Sequence, residues 1–350
     1  MSRKIWLIRH AMPDIPLGER WCVGGRSNFP LGRLGKLQAA LLPFLPELQG
    51  LDAVFCSSLL RARETALPLC PAPREMPGLQ EQDMGLWDGL SFREIRQRYP
   101  ALYAARERDP ALLPQGAESV ETVRRRMTEG ILRCLRESEG TIAIVSHKGS
   151  IASITGQREK LGYTSLTLLE AEREELRVLS VGQAPHPALT EEVCRALMHA
   201  AGAEARIAHC RAVAELAEEL RKALADKGLP LDRDTLRAAA LLHDIARDLP
   251  EHAAVGALWL RELGYPAVAD CVRQHHDPDS TALGEAALLY LADKAVRGGE
   301  RVSVEERFAA SLGKCKTPEA LAAHRRRLEA ARVILKNIKT VCGEHSCPEL

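Results

Sequence analysis

Two stretches of the 350-residue chain carry an apolar run that ends on titratable side chains. In "KIWLIRHA" the run stops on Arg9 and His10, and in "TIAIVSHKG" it stops on His147. A strand that enters a core ordinarily ends in a turn residue, so an arginine and a histidine at its tip call for solvent or for an anion. Phosphate suits such a set, because arginine offers forked donors to its oxygens and a neutral imidazole can attack phosphorus. Arg61, in the helix-like "LLRARETALPL", is available to the same site, and Arg63 is the same residue type two positions on. A second set lies within apolar helical text: His209 in "IAHCRAVAELAEEL", the adjacent His243 and Asp244 in "LLHDIA", and Asp293 in "LLYLADKAV". Polar side chains in such segments must find partners, and a divalent metal accepts an imidazole nitrogen and a carboxylate oxygen together.

The elements that would position the first set alternate. "KIWLI", "DAVFC" and "TIAIVS" read as strands, while "GRLGKLQAALLPFLPEL", broken near Pro43 and Pro46, and "SVETVRRRMTEGILRCLRES" read as helices. "SLTLLEAEREELRVLSV" reads as two strands around a charged turn. This order predicts an α/β domain, a sheet flanked by helices, in which ligands gather beyond the carboxyl ends of the strands. From Glu191 onward nearly every segment keeps a 3.6-residue period and no strand is expected, so the second domain is predicted to be all-α. The change of character near Ala184 to Leu189 predicts domains at 1–187 and 188–350, the second ending in a helix and a polar tail.

Composition narrows the partners. A net charge of +1 gives no global attraction to nucleic acid or membrane, so any anion preference is local. The arginine-rich "HRRRLEAARVILKNIK" keeps helical spacing of its apolar residues and reads as a packing helix with a solvated basic face, not a nucleic-acid surface. No apolar run approaches the roughly 18 residues of a membrane span or forms a signal-peptide core, which predicts a cytoplasmic protein. The ten cysteines are scattered and are expected to be reduced; Cys342 and Cys347 around His345 in "CGEHSC" lack the second pair that a zinc site needs.

The motifs of the first half resemble those of the histidine phosphatase superfamily, which includes the phosphoglycerate mutases. "LIRHA" resembles its LxRHG signature with Ala11 in place of glycine, and "SSLLRARETA" resembles SxLxRAxxTA, whose arginine falls on Arg61. "LQEQDMGLWDG" is similar to LxExxxGxWEG of the phosphatase branch, and "VSHKG" to VSHGG. The resemblance, over about residues 3 to 187, implies a phosphoglycerate mutase-like mixed sheet in which His10 becomes a phosphohistidine. It implies that Arg9, Arg61 and His147 hold the phosphoryl oxygens, that Glu81 protonates the leaving group, and that no metal is needed. Asp83 and Asp88 are alternatives to Glu81. Lys148 stands where the family usually has glycine, either as an extra phosphate contact or, by preference, as a solvated side chain. The run "AMPDIP" also departs from the family, and the alpha-ribazole phosphatase type is nearest in character.

The second set, in the order His, His-Asp, Asp, resembles the HD superfamily of metal-dependent phosphohydrolases over about residues 190 to 300. "EHAAVGALWL" and "CVRQHHDP" look like the further histidines of members with two metal ions, which implies His252 and His275 as ligands, with His276 competing for the place of His275. Asp244 would bridge the metals, and Mn, Fe or Mg would be the ion. The two resemblances together imply a bifunctional phosphohydrolase acting on small phosphorylated metabolites or nucleotides. The alternative is a histidine phosphatase regulated by an HD module that senses a nucleotide without catalysis.

Overall fold

Period-two alternation along the first strand decides how the sheet is covered. In β1 (Arg3–Arg9), Ile5 and Leu7 face one core and Trp6 and Ile8 the other. The computed structural model describes residues 2–16, 18–109 and 111–343, and the chain divides into two units, 1–187 and 188–350. In the first, α1 (Arg33–Leu41), β2 (Ala53–Cys56), α2 (Leu60–Ala66), β3 (Arg74–Glu75), α3 (Phe92–Arg98) and α4 (Pro100–Arg108) follow β1. Then come α5 (Val120–Arg136), β4 (Ile142–Ser146), α6 (Lys148–Thr155), β5 (Leu166–Glu172) and β6 (Glu175–Gln183).

The six strands form one mixed sheet in the order β3-β2-β4-β1-β5-β6. The pairs β1·β4, β2·β4 and β2·β3 are parallel, and β5 and β6 run antiparallel. Met127 and Ile131 of α5 and Ile151 of α6 pack on one face, and Ala62 and Ala66 of α2 on the other. After α1 the chain continues as two short 3₁₀ turns, Leu42–Phe44 and Pro46–Leu48, because a proline at the start of each lacks the N–H that a continuing helix would use. The topology places the carboxyl ends of β1, β2 and β4 side by side, and so sets His10, Ser57 and His147 next to one another.

The second unit comprises α7 (Glu191–Ala200), α8 (Ile207–Ala225), α9 (Arg233–Leu242), α10 (His252–Glu262), α11 (Pro266–Gln274), α12 (Glu285–Lys294), α13 (Val304–Leu312) and α14 (Pro318–Cys342). One expectation is corrected here. A small antiparallel hairpin, β7 (Val296–Arg297) and β8 (Glu300–Arg301), turns through Gly298 and Gly299, both at positive φ. Strands of two residues are too short to show alternation, so periodicity could not find them. No helix of the described residues is long and apolar enough to cross a membrane. Every described cysteine is a free thiol, while His345 and Cys347 of the tail lie outside the described residues.

Candidate active sites

Four residues named from the sequence meet at the strand ends of the first unit. The rings of His10 and His147 lie 5.0 Å apart between centroids, and both side chains are buried. His10 Nδ1 is 2.7 Å from the carbonyl oxygen of Ala11, which can only accept, so Nδ1 carries the proton and Nε2 carries the lone pair. Arg61 is fully buried and donates from Nε to that Nε2 at 3.3 Å. Its remaining nitrogens donate to the carbonyls of Ser27 and Gly24 at 2.7 and 3.0 Å. Arg63, the rival arginine, is exposed and pairs with Glu75 instead.

Arg9 donates to the Leu161 carbonyl at 2.8 Å and stacks over the Tyr163 ring at 3.9 Å, while its buried Nε has no hydrogen-bond partner. Burial lowers the pKa of Arg9 and brings that of Arg61 down to about 10, so Arg61 remains a cation at neutral pH. Burial, reinforced by the charges of Arg61 and Arg9, holds His10 well below the ordinary imidazole value. His147 is lowered in the same way, first by burial and then by Arg61. Both rings are therefore neutral when empty. Their imidazole C–H resonances are expected to stay flat as pH falls from about 8 through the ordinary histidine midpoint near 6.5. A titration of His10 centred near that value would contradict the electrostatic account.

Glu81 reaches the site from the segment before α3. Its carboxylate accepts from the backbone N–H groups of Gln82, Gly149 and Ser150 at 2.8, 3.1 and 3.2 Å. Gly149 makes this approach possible, since a Cβ there would lie 2.5 Å from Glu81 Oε1. The two rival carboxylates are engaged elsewhere. Asp83 accepts from Arg26 and from the N–H of Gly85, and Asp88 accepts from the N–H groups of Gly24, Arg26 and Ser27. Asp88 thus builds the loop whose carbonyls hold Arg61.

Sequence reasoning missed several neighbours. The Ser57 hydroxyl lies 2.8 Å from His147 Nε2, leaving Nδ1 of that ring buried without a partner. Arg126 of α5 donates to the carbonyls of Gly78, Gln80 and Glu81 and pairs with Glu118, which clamps the segment carrying Glu81. Ser57 was visible inside the SxLxRA motif; nothing in the sequence marks Arg126 or Tyr163. A cavity of about 580 Å³ opens beside Arg9, His10 and Glu81, with Lys148 on its wall. Lys148 is half-buried there, not on a solvated face. Cys22 lines the same cavity, but burial pushes its thiol up to about 12, so it stays protonated and inert.

In the second unit, all six residues named as ligands converge, and His276 joins them. His209 lies on α8, His243 and Asp244 follow α9, and His252 opens α10. His275 and His276 follow α11, and Asp293 ends α12 beside Lys294. One oxygen of Asp244 is 3.8 Å from His243 Nε2, and the other is 3.5 Å from His252 Nε2 and 3.9 Å from His275 Nε2. Asp293 Oδ1 lies 3.2 Å from His209 Nε2 and 3.6 Å from His243 Nε2. His252 and His276 approach Nε2 to Nε2 at 2.8 Å. The donors fall into two groups, His209-His243-Asp244 and His252-His275-His276, each with ligand atoms within 4.8 Å of one another. His275 and His276, the two competing candidates, both lie in the second group.

These donors fit metal ions. His243 and His275 donate from Nδ1 to the carbonyls of Ala240 and Val272, so each turns Nε2 toward the cluster, and both Nε2 atoms are buried with no hydrogen-bond partner. Burial lowers His275 to about 3, which keeps it a neutral ligand. Burial alone would raise Asp293, but Lys294 and the two histidines hold it well below the carboxylate range. Two cations escaped the sequence reading. Arg206 donates twice to Asp244 Oδ2, at 2.9 and 2.6 Å, and buried Lys294 donates to Asp293 Oδ2 at 2.6 Å. A cavity of about 300 Å³, lined in part by His276, Lys294, Arg307 and Phe308, adjoins this cluster.

The family profile described as the histidine phosphatase superfamily (branch 1) matches residues 5–184, and that of the HD domain matches residues 206–309. A Mycobacterium tuberculosis protein named as bifunctional is 33% identical over 153 residues, 41% of this chain and 41% of the relative. The chain thus spans less than half the length of the first curated relatives it matches, at 41%. Phosphoserine phosphatase 1 of Hydrogenobacter thermophilus is 30% identical over 152 residues, 41% of this chain and 70% of that one. Among solved structures, the alpha-ribazole phosphatase of Shigella flexneri is 22% identical, with a TM-score of 0.45, over 51% of this chain and 96% of the other.

Proposed function

Because the chain belongs to the histidine phosphatase superfamily, we propose that its first unit is a phosphohistidine-dependent phosphomonoesterase for a small phosphorylated metabolite. The observation that carries this reading is the His10 tautomer: Nδ1–H is held by the Ala11 carbonyl, and the Nε2 lone pair is presented beside Arg61. Nε2 attacks phosphorus, the bond from phosphorus to the leaving oxygen breaks, and water later cleaves the phosphohistidine. Arg9, Arg61 and His147 bind the phosphoryl oxygens, satisfying the partnerless Arg9 Nε and His147 Nδ1. Charge neutralisation is thus supplied by the chain itself.

Glu81 is assigned the proton transfer to the leaving oxygen, since Asp83 and Asp88 are bound into loop structure and do not line the cavity. Glu81→Gln is expected to lower hydrolysis of alkyl phosphates by about 10² to 10⁴-fold and to spare activated aryl phosphates, whose leaving groups need no proton. Equal losses on both classes would remove Glu81 from that role.

The second unit is proposed to be an HD phosphohydrolase for a nucleotide or another phosphate ester. His209, His243 and Asp293 would hold one ion, His252, His275 and His276 a second, with Asp244 between them. Divalent ions such as Mn²⁺, Fe²⁺ or Mg²⁺ bound there would supply Lewis acidity and an activated water. The chain's own residues orient the donors: the Ala240 and Val272 carbonyls fix two imidazoles, Lys294 holds the outer oxygen of Asp293, and Arg206 holds Asp244 by the oxygen nearer His243. The adjoining cavity with Arg307 and Lys294 favours an anionic substrate. Each activity is tested by screening phosphorylated metabolites against the full chain and against its His10 and Asp244 variants, with bound metal measured. Metal and nucleotide binding with no Asp244-dependent turnover would instead support a sensing module.

A further inference from the structure

The cavity of the first unit is larger than a phosphoryl group needs, and its charge is unbalanced. Beyond Arg9, its wall carries Lys148, Arg158, Arg106 and Arg20, against only two acids, Glu19 and Glu81. Neither acid neutralises them. Glu19 pairs with Arg93 at 3.7 Å, and Glu81 accepts from three backbone N–H groups. Lys148, Arg158 and Arg106 form no ion pair among the described residues, and Arg106 Nη1 is buried with no hydrogen-bond partner. Burial lowers the pKa of Lys148, and repulsion from Arg9 and Arg158 lowers it further. Burial and then repulsion from Arg158 likewise lower Arg106. Glu159 opposes this only in part at Lys148, so the cations gathered in the half-enclosed cavity repel one another, and an anion relieves that repulsion. The transferred phosphoryl group is already matched by Arg9, Arg61 and the two histidines, and Glu81 takes the N–H groups at the start of α6.

We propose that Lys148, with Arg158 and Arg106, binds a second anionic group of the substrate, a carboxylate or another phosphate, on the cavity wall beside the phosphoryl site. This rests on the phosphatase reading of the first unit and narrows it. The substrate is a phosphomonoester bearing two anionic ends, not one that is neutral beyond its phosphate as an alpha-ribazole phosphate is. Trp21, Trp87 and Phe92, which also line the cavity, offer apolar surface to the body that joins the two anionic groups. The side chain that stands in place of the family's glycine after the second histidine thereby sets specificity.

The test uses three phosphates on one three-carbon frame with the full chain: propyl phosphate, 3-phosphonooxypropionate and propane-1,3-diyl bisphosphate. Wild type is expected to show kcat/KM about tenfold or more higher for the two probes with an anionic group at each end than for propyl phosphate, as a charge-assisted hydrogen bond to the second group implies. In Lys148→Gln that ratio is expected to fall about tenfold, with Arg158→Gln acting in the same direction. Which of the two probes loses more identifies carboxylate or phosphate as the group bound. Loss of Lys148 relieves repulsion and breaks no hydrogen bond, so the variant folds, and its turnover of an aryl phosphate checks this. Equal rates on all three probes in wild type, or an unchanged ratio in Lys148→Gln, would overturn the inference while leaving the phosphatase standing. No turnover of any probe, aryl phosphate included, would overturn the phosphatase reading itself.

Discussion

His10→Ala is expected to lower phosphomonoester hydrolysis by the first unit about 10⁴-fold or more, the scale on which a covalent nucleophile is lost. No neighbouring group can take its place. His147 is bound through Nε2 to Ser57, and Cys22 is held protonated by burial. The substitution also leaves Arg61 Nε, fully buried, without its acceptor, so thermal unfolding of the variant is measured alongside activity. A stability loss of about 1 to 3 kcal/mol is the scale for such an orphaned donor and leaves most domains folded. Acid-quenched wild type should carry a phosphohistidine that His10→Ala lacks. Retained turnover with no trapped phosphoprotein would exclude His10 as nucleophile.

Asp244→Ala is expected to reduce bound metal in the second unit to about a tenth or less and to abolish its hydrolysis. The carboxylate stands between the two donor groups, one oxygen toward His243 and the other toward His252 and His275, so its loss affects both. Removing even an orienting partner of a ligand weakens metal binding about 10 to 100-fold, and a shared ligand should weigh more. Arg206 loses its partner as well, and its cation would then face the cluster uncompensated. The measurement is metal content by mass spectrometry, with the helical circular dichroism and thermal unfolding of the variant as the folding control. Normal metal content in the variant would remove Asp244 from the site.

How far the sequence carried this account differs residue by residue. Arg9, His10 and His147 were legible because strand ends in an α/β sheet are where ligands gather, and the mixed sheet brings β1 and β4 side by side. Arg61 was separable from Arg63 only through its motif; burial then distinguishes the two. Glu81 was not separable from Asp83 and Asp88 by spacing, since all three sit in one loop. What divides them is contact with residues far along the chain, Gly149 for Glu81 and Gly24 for Asp88.

The same limit explains the misses. Arg126 reaches back 45 residues to the Glu81 carbonyl, and Arg206 reaches forward 38 to Asp244, distances over which no local period operates. Nothing in the sequence marks Lys294, which the fold buries against Asp293 and the His275 carbonyl. Lys148 was read as solvated because a single lysine after a histidine says nothing about the cavity wall. In the second unit His209, His243, Asp244 and Asp293 stood out as polar residues in apolar helical text, whereas His252 and His275 were named only through the resemblance, and the gathering of His276 with them needed coordinates.

The central claim is that one chain carries two phosphohydrolase sites, one neutralising charge with its own arginines and histidines and the other with bound ions. Chelation separates them most directly. Wild-type protein is treated with EDTA and desalted, and metal content, aryl phosphate hydrolysis and the second unit's nucleotide hydrolysis are measured before and after. The account predicts that metal and the second activity fall together and return with added Mn²⁺ or Fe²⁺, while aryl phosphate hydrolysis is unchanged. Loss of aryl phosphate hydrolysis in step with the metal, or a second activity that survives complete metal removal, would contradict it.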